Sequence, residues 1–559
     1  MDTREFDYVI VGAGSAGCVL AGRLSEDPNV TVCLLEAGPK DTSVLIHAPM
    51  GLAAGIPLGK NIYKFETVPQ PGLNGRKGFQ PRGKTLGGSS SVNAMVYCRG
   101  HRWDYDHWAS LGNPGWDYAS VLPYFKRAEN SECIGGNEYR GVGGPLNVAY
   151  LRSPSPLNDA FLAACEQTGV PRNPDYNGAE QEGCWPSQVT QKNGERCSAA
   201  KAYVTPNLGR PNLTVITDAM VSRIGFEGKR AVSVQFLQGK GNQAVAAAVR
   251  VRREVLLSSG AYGSPQVLML SGVGPAAELR KHGIPVVHDL PGVGQNLQDH
   301  ITANLVWRTH DANATFGVSA RGGMNIIKGI MEWRKKRTGL ITSNVAESGA
   351  FYRTRDDQEV PAFELELVVG IVDDHNRKTH LGHGYSLHVT LARPKSRGQV
   401  SLASTDPAVP MQIDPKYFSH PEDMPLMVEG TRKALNIMDA PALAPYRGAM
   451  LFPIDKNSDA DIERELRRSA DTEYHPAGTC RMGPASDPMS VVDSELRVHG
   501  LTGIRVVDAS IMPTLIGGNT NAPTIMIGER ASDFIRNPPA PSAVRPTTTT
   551  QEPALEAQA

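Results

Sequence analysis

Hydrophobic positions along this chain follow two periods, and the switches between them mark its elements. Asp7–Val11 is a short apolar run with β-branched side chains that stops in Gly12-Ala13-Gly14-Ser15-Ala16-Gly17. A run of that kind reads as a parallel strand buried on both faces. The spacing then predicts a helix from Ser15 to Leu24 and a second strand over Thr31–Leu35. Val255–Leu257 and Arg505–Val507 are further short strands, and Ser264-Pro265 fits the cap and first position of a helix carrying Val267, Leu268 and Leu270. Thr520-Asn521-Ala522-Pro523 opens a helix over Thr524–Ile535. The middle of the chain differs. Ala362–Val369, Tyr385–Leu391 and Gln399–Leu402 alternate or run apolar as antiparallel strands do. Met324–Arg337 is a basic amphipathic helix. A solvated lysine and arginine face is the ordinary account of such a helix, and peripheral membrane contact is the other.

This order of elements implies an α/β fold: a Rossmann-like nucleotide-binding domain joined to a second, α+β domain built on an antiparallel sheet. A chain of 559 residues exceeds what one core supports. We divide it into residues 1–300 as the main nucleotide-binding part with excursions, 301–474 as the substrate domain, and 475–536 as a return to the first domain; 537–559, rich in Pro, Thr and Ala, is expected to be disordered. Composition narrows the function. Lys+Arg and Asp+Glu both number 57, so no global field recruits nucleic acid. The eight Cys show no metal-finger spacing, no metal is expected, and reduced thiols in a cytoplasm are the plain reading. Neither a signal peptide nor a membrane-spanning run is expected, which points to the cytoplasm or the inner face of its membrane.

Candidate chemistry gathers at two places. Gly12 permits the tight turn, Gly14 lets a pyrophosphate approach the backbone, and Gly17 lets the helix pack on the strand. Ser15 begins the helix whose N–H groups and dipole would face the phosphates. Glu36, followed by Ala37, ends the second strand, where a carboxylate accepts from a ribose hydroxyl and repels a 2′-phosphate. This is a dinucleotide site, with FAD and NAD both open. Arg82–Gly100, RGKTLGGSSSVNAMVYCRG, is either a flexible linker or a cradle of backbone donors for a second phosphate or a flavin ring. Near the other end, His475 precedes Pro476, which favours extended backbone, and an ordinary imidazole pKa of ~6.5 suits a base at neutral pH. Asn519 stands just ahead of the last helix, whose positive end suits a developing negative charge.

The loop Arg82–Gly100 is followed by GSPQVLMLSGVGP (Gly263–Pro275), VGQNLQDH (Val293–His300), PKSRGQVSL (Pro394–Leu402), HPAGTCRMG (His475–Gly483) and VVDASIMPTLIGGNTNAPTIMIGE (Val506–Glu529). The series, spread over residues 5–537, resembles the glucose–methanol–choline (GMC) oxidoreductases. That resemblance implies FAD. It implies FAD contacts from Arg82, Gly87, Gly88, Ser89, Asn93, Ala94, Met95 and Val96, from Val221 on the adenine side, and from Asp508, Ala509, Asn519 and Thr520. Val92 stands where some members carry a histidine bonded to the flavin, so the FAD implied here is non-covalent. His475 is implied as the base that takes a hydroxyl proton and Asn519 as the side chain that orients the substrate oxygen. His101, His107, His300 and His499 are left as structural, and Glu347 is the substrate-pocket candidate. The motif spelling is nearest to bacterial primary alcohol dehydrogenases of the aliphatic alcohol and polyethylene glycol type, then to choline dehydrogenases. The implied reaction takes a primary alcohol to an aldehyde and passes electrons to a quinone or other acceptor. A choline dehydrogenase, an oxygen-using oxidase and a flavin-containing hydroxynitrile lyase are the alternatives.

Overall fold

Two sheets, each backed by its own core, face a shared cavity in the computed structural model, which describes residues 4–537. The first sheet is parallel in the order Leu213–Ile216, Val32–Leu35, Glu5–Val11, the end of Val245–Leu257, and Ile504–Val506. Its strands are as apolar as expected because both faces are covered: Val9, Ile10, Val32, Cys33 and Leu34 are fully buried. The strand Val245–Leu257 is long enough for a second role. Its first half pairs antiparallel with Arg230–Gln238, which pairs in turn with Ala219–Glu227. Over this sheet the helices Ser15–Leu24 and Asn521–Arg536 pack so closely that a Cβ on Gly528 would lie 2.9 Å from that of Val19. Glu529 locks the contact, accepting from Arg23 Nε (3.0 Å), Arg127 Nε (2.7 Å) and the Tyr203 hydroxyl (2.7 Å).

The second sheet is antiparallel: Asp471–Thr472, Ile301–Thr309, Gly382–Leu391, Phe363–Val368, Ala346–Tyr352 and Gly183–Pro186, in that order. Period two decides its faces. Leu365, Leu367, Leu387 and Val389 enter a core shared with the helices Leu157–Gln167 and Asp423–Met438. Glu364, Glu366 and His388 therefore point the other way, and Glu366 stands directly opposite His388 across the strands.

The structure redraws three expectations. The helix expected at Ser264 begins at Gly260, with Pro265 inside it. A proline there cannot donate to the carbonyl of Ala261, and the Thr479 hydroxyl does so instead at 2.6 Å. The strand expected over Gln399–Leu402 forms as Gly398–Ser401 in a separate small sheet with Gln295–Leu297 and Gln412–Asp414, and Val400, Leu402 and Ile413 join the first core. Gly183–Pro186 and the helix Leu157–Gln167 belong to the second sheet and its core, so residues 301–474 are not a self-contained unit. The expectation for the tail lies outside the described residues but for Asn537. No helix among the described residues is long and apolar enough to cross a membrane.

Candidate active site

A cavity of about 780 Å³ runs from the glycine turn of the first sheet to the polar face of the second. At the glycine end each residue of the motif has its own constraint. Gly12 has φ +98°, and a Cβ on it would meet the Ser258 carbonyl at 2.6 Å. A Cβ on Gly14 would have only that carbonyl near it, at 3.8 Å, so the bare residue keeps the cavity wall open. Gly17 lies behind the wall, where a Cβ would strike the Gly12 carbonyl at 2.0 Å. The serine-rich loop leans on this turn: Gly87 N–H donates to Ala13 O (2.8 Å), and Gly88, at φ +53°, leaves no room for a Cβ beside Gly14 Cα, 2.8 Å away. Gly87 itself does not reach the cavity; Ser15, Ala37, Arg82, Gly88, Ser89, Val92, Asn93, Ala94, Met95, Val96, Val221, Ala509 and Thr520 do.

Two carboxylates brace this end. Glu36 accepts from the N–H groups of Ala13 (3.0 Å) and Gly38 (2.7 Å), and burial pushes its pKa up to about 7. Asp508 accepts from Gly260 N–H (2.8 Å), Ser264 Oγ (2.5 Å) and Ser510 N–H (2.8 Å), and burial raises its pKa as well. Arg196, which carried no motif signal, fixes the serine-rich loop from behind. It donates to Ile46 O (2.9 Å) and to both Asn93 oxygens (2.7 Å each), and burial lowers its pKa to about 9. A dinucleotide fits here. The open backbone at Gly14 and the buried Ser258 hydroxyl, which has no protein partner on this wall, are groups that a ligand would complete. Ser15 Oγ donates to Asn521 Oδ1 (2.8 Å), so the N-termini of the first and last helices meet at the cavity.

At the far end His475 and Asn519 both line the cavity. The backbone N–H of His475 donates to Asp299 Oδ1 (2.9 Å), whose other oxygen accepts from Tyr417 Oη (2.5 Å) and Thr472 Oγ1 (2.6 Å). Burial pushes the Asp299 pKa up to about 6. His300, read from sequence as structural, is in contact with His475: their Nδ1 atoms are 2.9 Å apart. His300 Nε2 lies 2.8 Å from the Ala392 carbonyl, which can only accept. The proton therefore sits on His300 Nε2, its Nδ1 accepts, and His475 must donate from Nδ1. That leaves His475 Nε2 as a bare lone pair. Burial, then His300 and Arg82, hold the His475 pKa well below the usual imidazole value, so the ring is neutral at pH 7. The other histidines left as structural include His101, which caps the helix Arg102–Ser110, and His499, which donates to Gly483 O.

Asn519 Nδ2 donates to Glu366 Oε1 (3.1 Å), while its Oδ1 is buried without a partner. Glu366 continues a cluster in which His388 Nδ1 meets Glu473 at 3.1 Å, and all three side chains reach the cavity. Burial, then the Glu473 charge, pushes the Glu366 pKa up to about 7. Burial alone would lower the His388 pKa, but Glu473 and Glu366 raise it. The three offer ligand atoms within 4.8 Å of one another, although His388 already holds Glu473 through Nδ1. Sequence reasoning missed this cluster; the polar stripe at every second residue of FELEL and SLHVTL was its signal. Glu347 stands elsewhere than expected. It does not line the cavity, and its carboxylate accepts from Ser155 N–H (2.6 Å), Asn158 Nδ2 (2.6 Å) and Ser343 Oγ (2.5 Å), a set of bonds that makes it a structural anchor.

Two family models, both described as GMC oxidoreductase, match residues 6–302 and 394–528, together more than half of the chain. The chain is 46% identical to an alcohol dehydrogenase [acceptor] of Pseudomonas putida, over 95% of each. It is 44% identical to the mitochondrial choline dehydrogenase of Mus musculus, over 96% of this chain and 90% of that one. A formate oxidase of Aspergillus oryzae, a variant solved for its effect on FAD modification, superposes with a TM-score of 0.87 at 27% identity, covering 96% of this chain and 99% of the other.

Proposed function

The chain belongs to the GMC oxidoreductase family, and on that premise we propose that it oxidises a primary alcohol to the aldehyde. FAD bound along the cavity supplies the acceptor for the hydride that leaves the alcohol carbon. The remaining work is done by this chain's own residues. His475 Nε2 accepts the hydroxyl proton, and the bond from His475 Nδ1–H to His300 keeps that lone pair on the cavity side. Asn519, held by Glu366 through one amide hydrogen, donates the second to the substrate oxygen. Once protonated, His475 stabilises the developing alkoxide. The observation that carries this reading is continuity: one cavity has Gly12 and Gly14 at one end and His475 and Asn519 at the other.

The test is the visible spectrum of the holoenzyme, recorded anaerobically before and after a medium-chain primary alcohol. Bleaching of the flavin bands is the expected result, and bands that persist with every primary alcohol tried would overturn the reading. Electrons then leave to a quinone or another carrier; rapid oxygen uptake during turnover would make the protein an oxidase instead. A quaternary-ammonium alcohol is the second reading, favoured by the Glu366 and Glu473 carboxylates on the cavity wall and by the choline dehydrogenases among the relatives. Comparing kcat/KM for choline and for an uncharged alcohol of similar size separates the two.

A further inference from the structure

The helix Ala320–Lys336 turns its apolar side to solvent. Only Gly322, Gly329 and Trp333 are buried. On the outer side Met324, Ile327 and Met331 recur at helical spacing and are 55–60% exposed. Beside them Arg321, Lys328 and Lys335, one every seven residues, make a parallel basic stripe that is also exposed. This is a patch and not scatter. Of the fifteen exposed large apolar side chains among the described residues, eight lie on this helix or beside it at the cavity mouth and on the Val318–Leu381 bridge. The mouth is marked by Leu58, Val318 and Ile326, together with the polar Lys378 and Thr379, all of which line the cavity and are at the same time open to solvent.

We propose that this face docks the enzyme on an anionic lipid bilayer, with the helix lying in the interface and the cavity mouth turned toward the lipid. The occupant follows from charge. The chain as a whole carries a formal net charge of +0, yet this helix has five Lys and Arg against one Glu, placed along the edge of an apolar stripe. An apolar face that enters the acyl boundary and cations that meet anionic headgroups are the two attractions an interfacial helix uses. At the mouth the apolar Leu58, Val318 and Ile326 suit acyl chains, and the cation Lys378 suits an anionic headgroup. An apolar alcohol or acceptor dissolved in the bilayer enters directly. The docking itself requires no particular substrate, so it stands or falls apart from the alcohol reading.

The experiment is sedimentation of the purified holoenzyme with vesicles of phosphatidylcholine alone, or of phosphatidylcholine and phosphatidylglycerol in equal parts. The expected result is binding to the mixed vesicles that weakens as salt is raised, and little binding to the neutral ones. In Ile327→Glu/Met331→Glu the bound fraction falls by ~10-fold or more, and Lys328→Glu/Lys335→Glu loses the salt-sensitive part. None of these four residues lines the cavity, so both variants keep their FAD absorbance and their turnover of a water-soluble alcohol without vesicles. Wild-type protein that stays in the supernatant with mixed vesicles overturns the proposal, as does a double variant that sediments like wild type. Self-association of the wild type that Ile327→Glu/Met331→Glu abolishes, with no vesicle binding, overturns it in favour of a contact between copies of this chain.

Discussion

One lone pair, on His475 Nε2, carries the proposed chemistry, and burial with two neighbours, His300 and Arg82, determines its state. His475→Ala should retain FAD, seen as unchanged flavin absorbance, while kcat for alcohol falls by ~100- to 10,000-fold. The pH dependence has a definite sign. Because burial lowers the His475 pKa, the base is already free well below pH 6.5, and kcat/KM should rise to its plateau on the acid side of an ordinary histidine. An acid limb centred at or above that value would contradict this. His300→Ala removes both the acceptor for His475 Nδ1–H and a group that lowers the His475 pKa. We expect kcat to drop by about 10- to 100-fold and the acid limb to leave its wild-type position, upward where loss of the lowering charge prevails and downward where loss of the acceptor does. The pH shift separates a positioning role from a merely structural one. His475 and Asn519 were legible because each sits in a long motif. His300 also closes a motif, Val293–His300, but its role depends on a partner 175 positions away in the chain, which that motif does not record.

Among the elements, the glycine turn shows how one motif holds three different requirements. Gly14→Ala should fold normally, since its Cβ would meet nothing nearer than 3.8 Å, yet it fills the wall that a pyrophosphate must approach. Expected are an unfolding midpoint near that of the FAD-free wild type and an FAD Kd raised by ~10-fold or more. Gly17→Ala instead drives a methyl into the Gly12 carbonyl, and a loss of about 1–3 kcal/mol in urea unfolding is expected even without FAD. Strand, turn and first helix were readable because local period and glycine chemistry agree there. The helix Gly260–Leu270 was misread for a tertiary reason. Ser264 and Pro265 imitate a helix start, but Ser264 Oγ bonds back to Ser259 N–H (3.0 Å) and on to Asp508, and Thr479 supplies the donor that Pro265 lacks. In the second sheet the alternation of FELEL was visible, but which face met a core and which met the cavity was not.

For the molecule as a whole, the cofactor end depends on segments from both ends of the chain held together by buried polar contacts. Glu529 joins the last helix to Arg23, Arg127 and Tyr203, and Glu529→Ala would leave these partners without their acceptor. A loss of about 3 kcal/mol in unfolding free energy is expected, toward the lower end for a broken buried pair because both arginines are partly exposed. The matching check is the thermal midpoint of the holoenzyme, which should fall together with FAD retention. Sequence order alone was enough for the α/β class, the dinucleotide turn, and the choice of His475 and Asn519 as candidates, which the structure brings to one cavity. These follow from local spacing or from motifs whose members are neighbours in the chain. Folding chose the rest: that Glu347 is an anchor, that Glu366, His388 and Glu473 share the cavity wall, that Arg196 props the serine-rich loop, and that the basic helix shows its apolar side to solvent. Each of these depends on which face of an element is covered and by what. That is set by packing between segments hundreds of residues apart, and no local pattern records it.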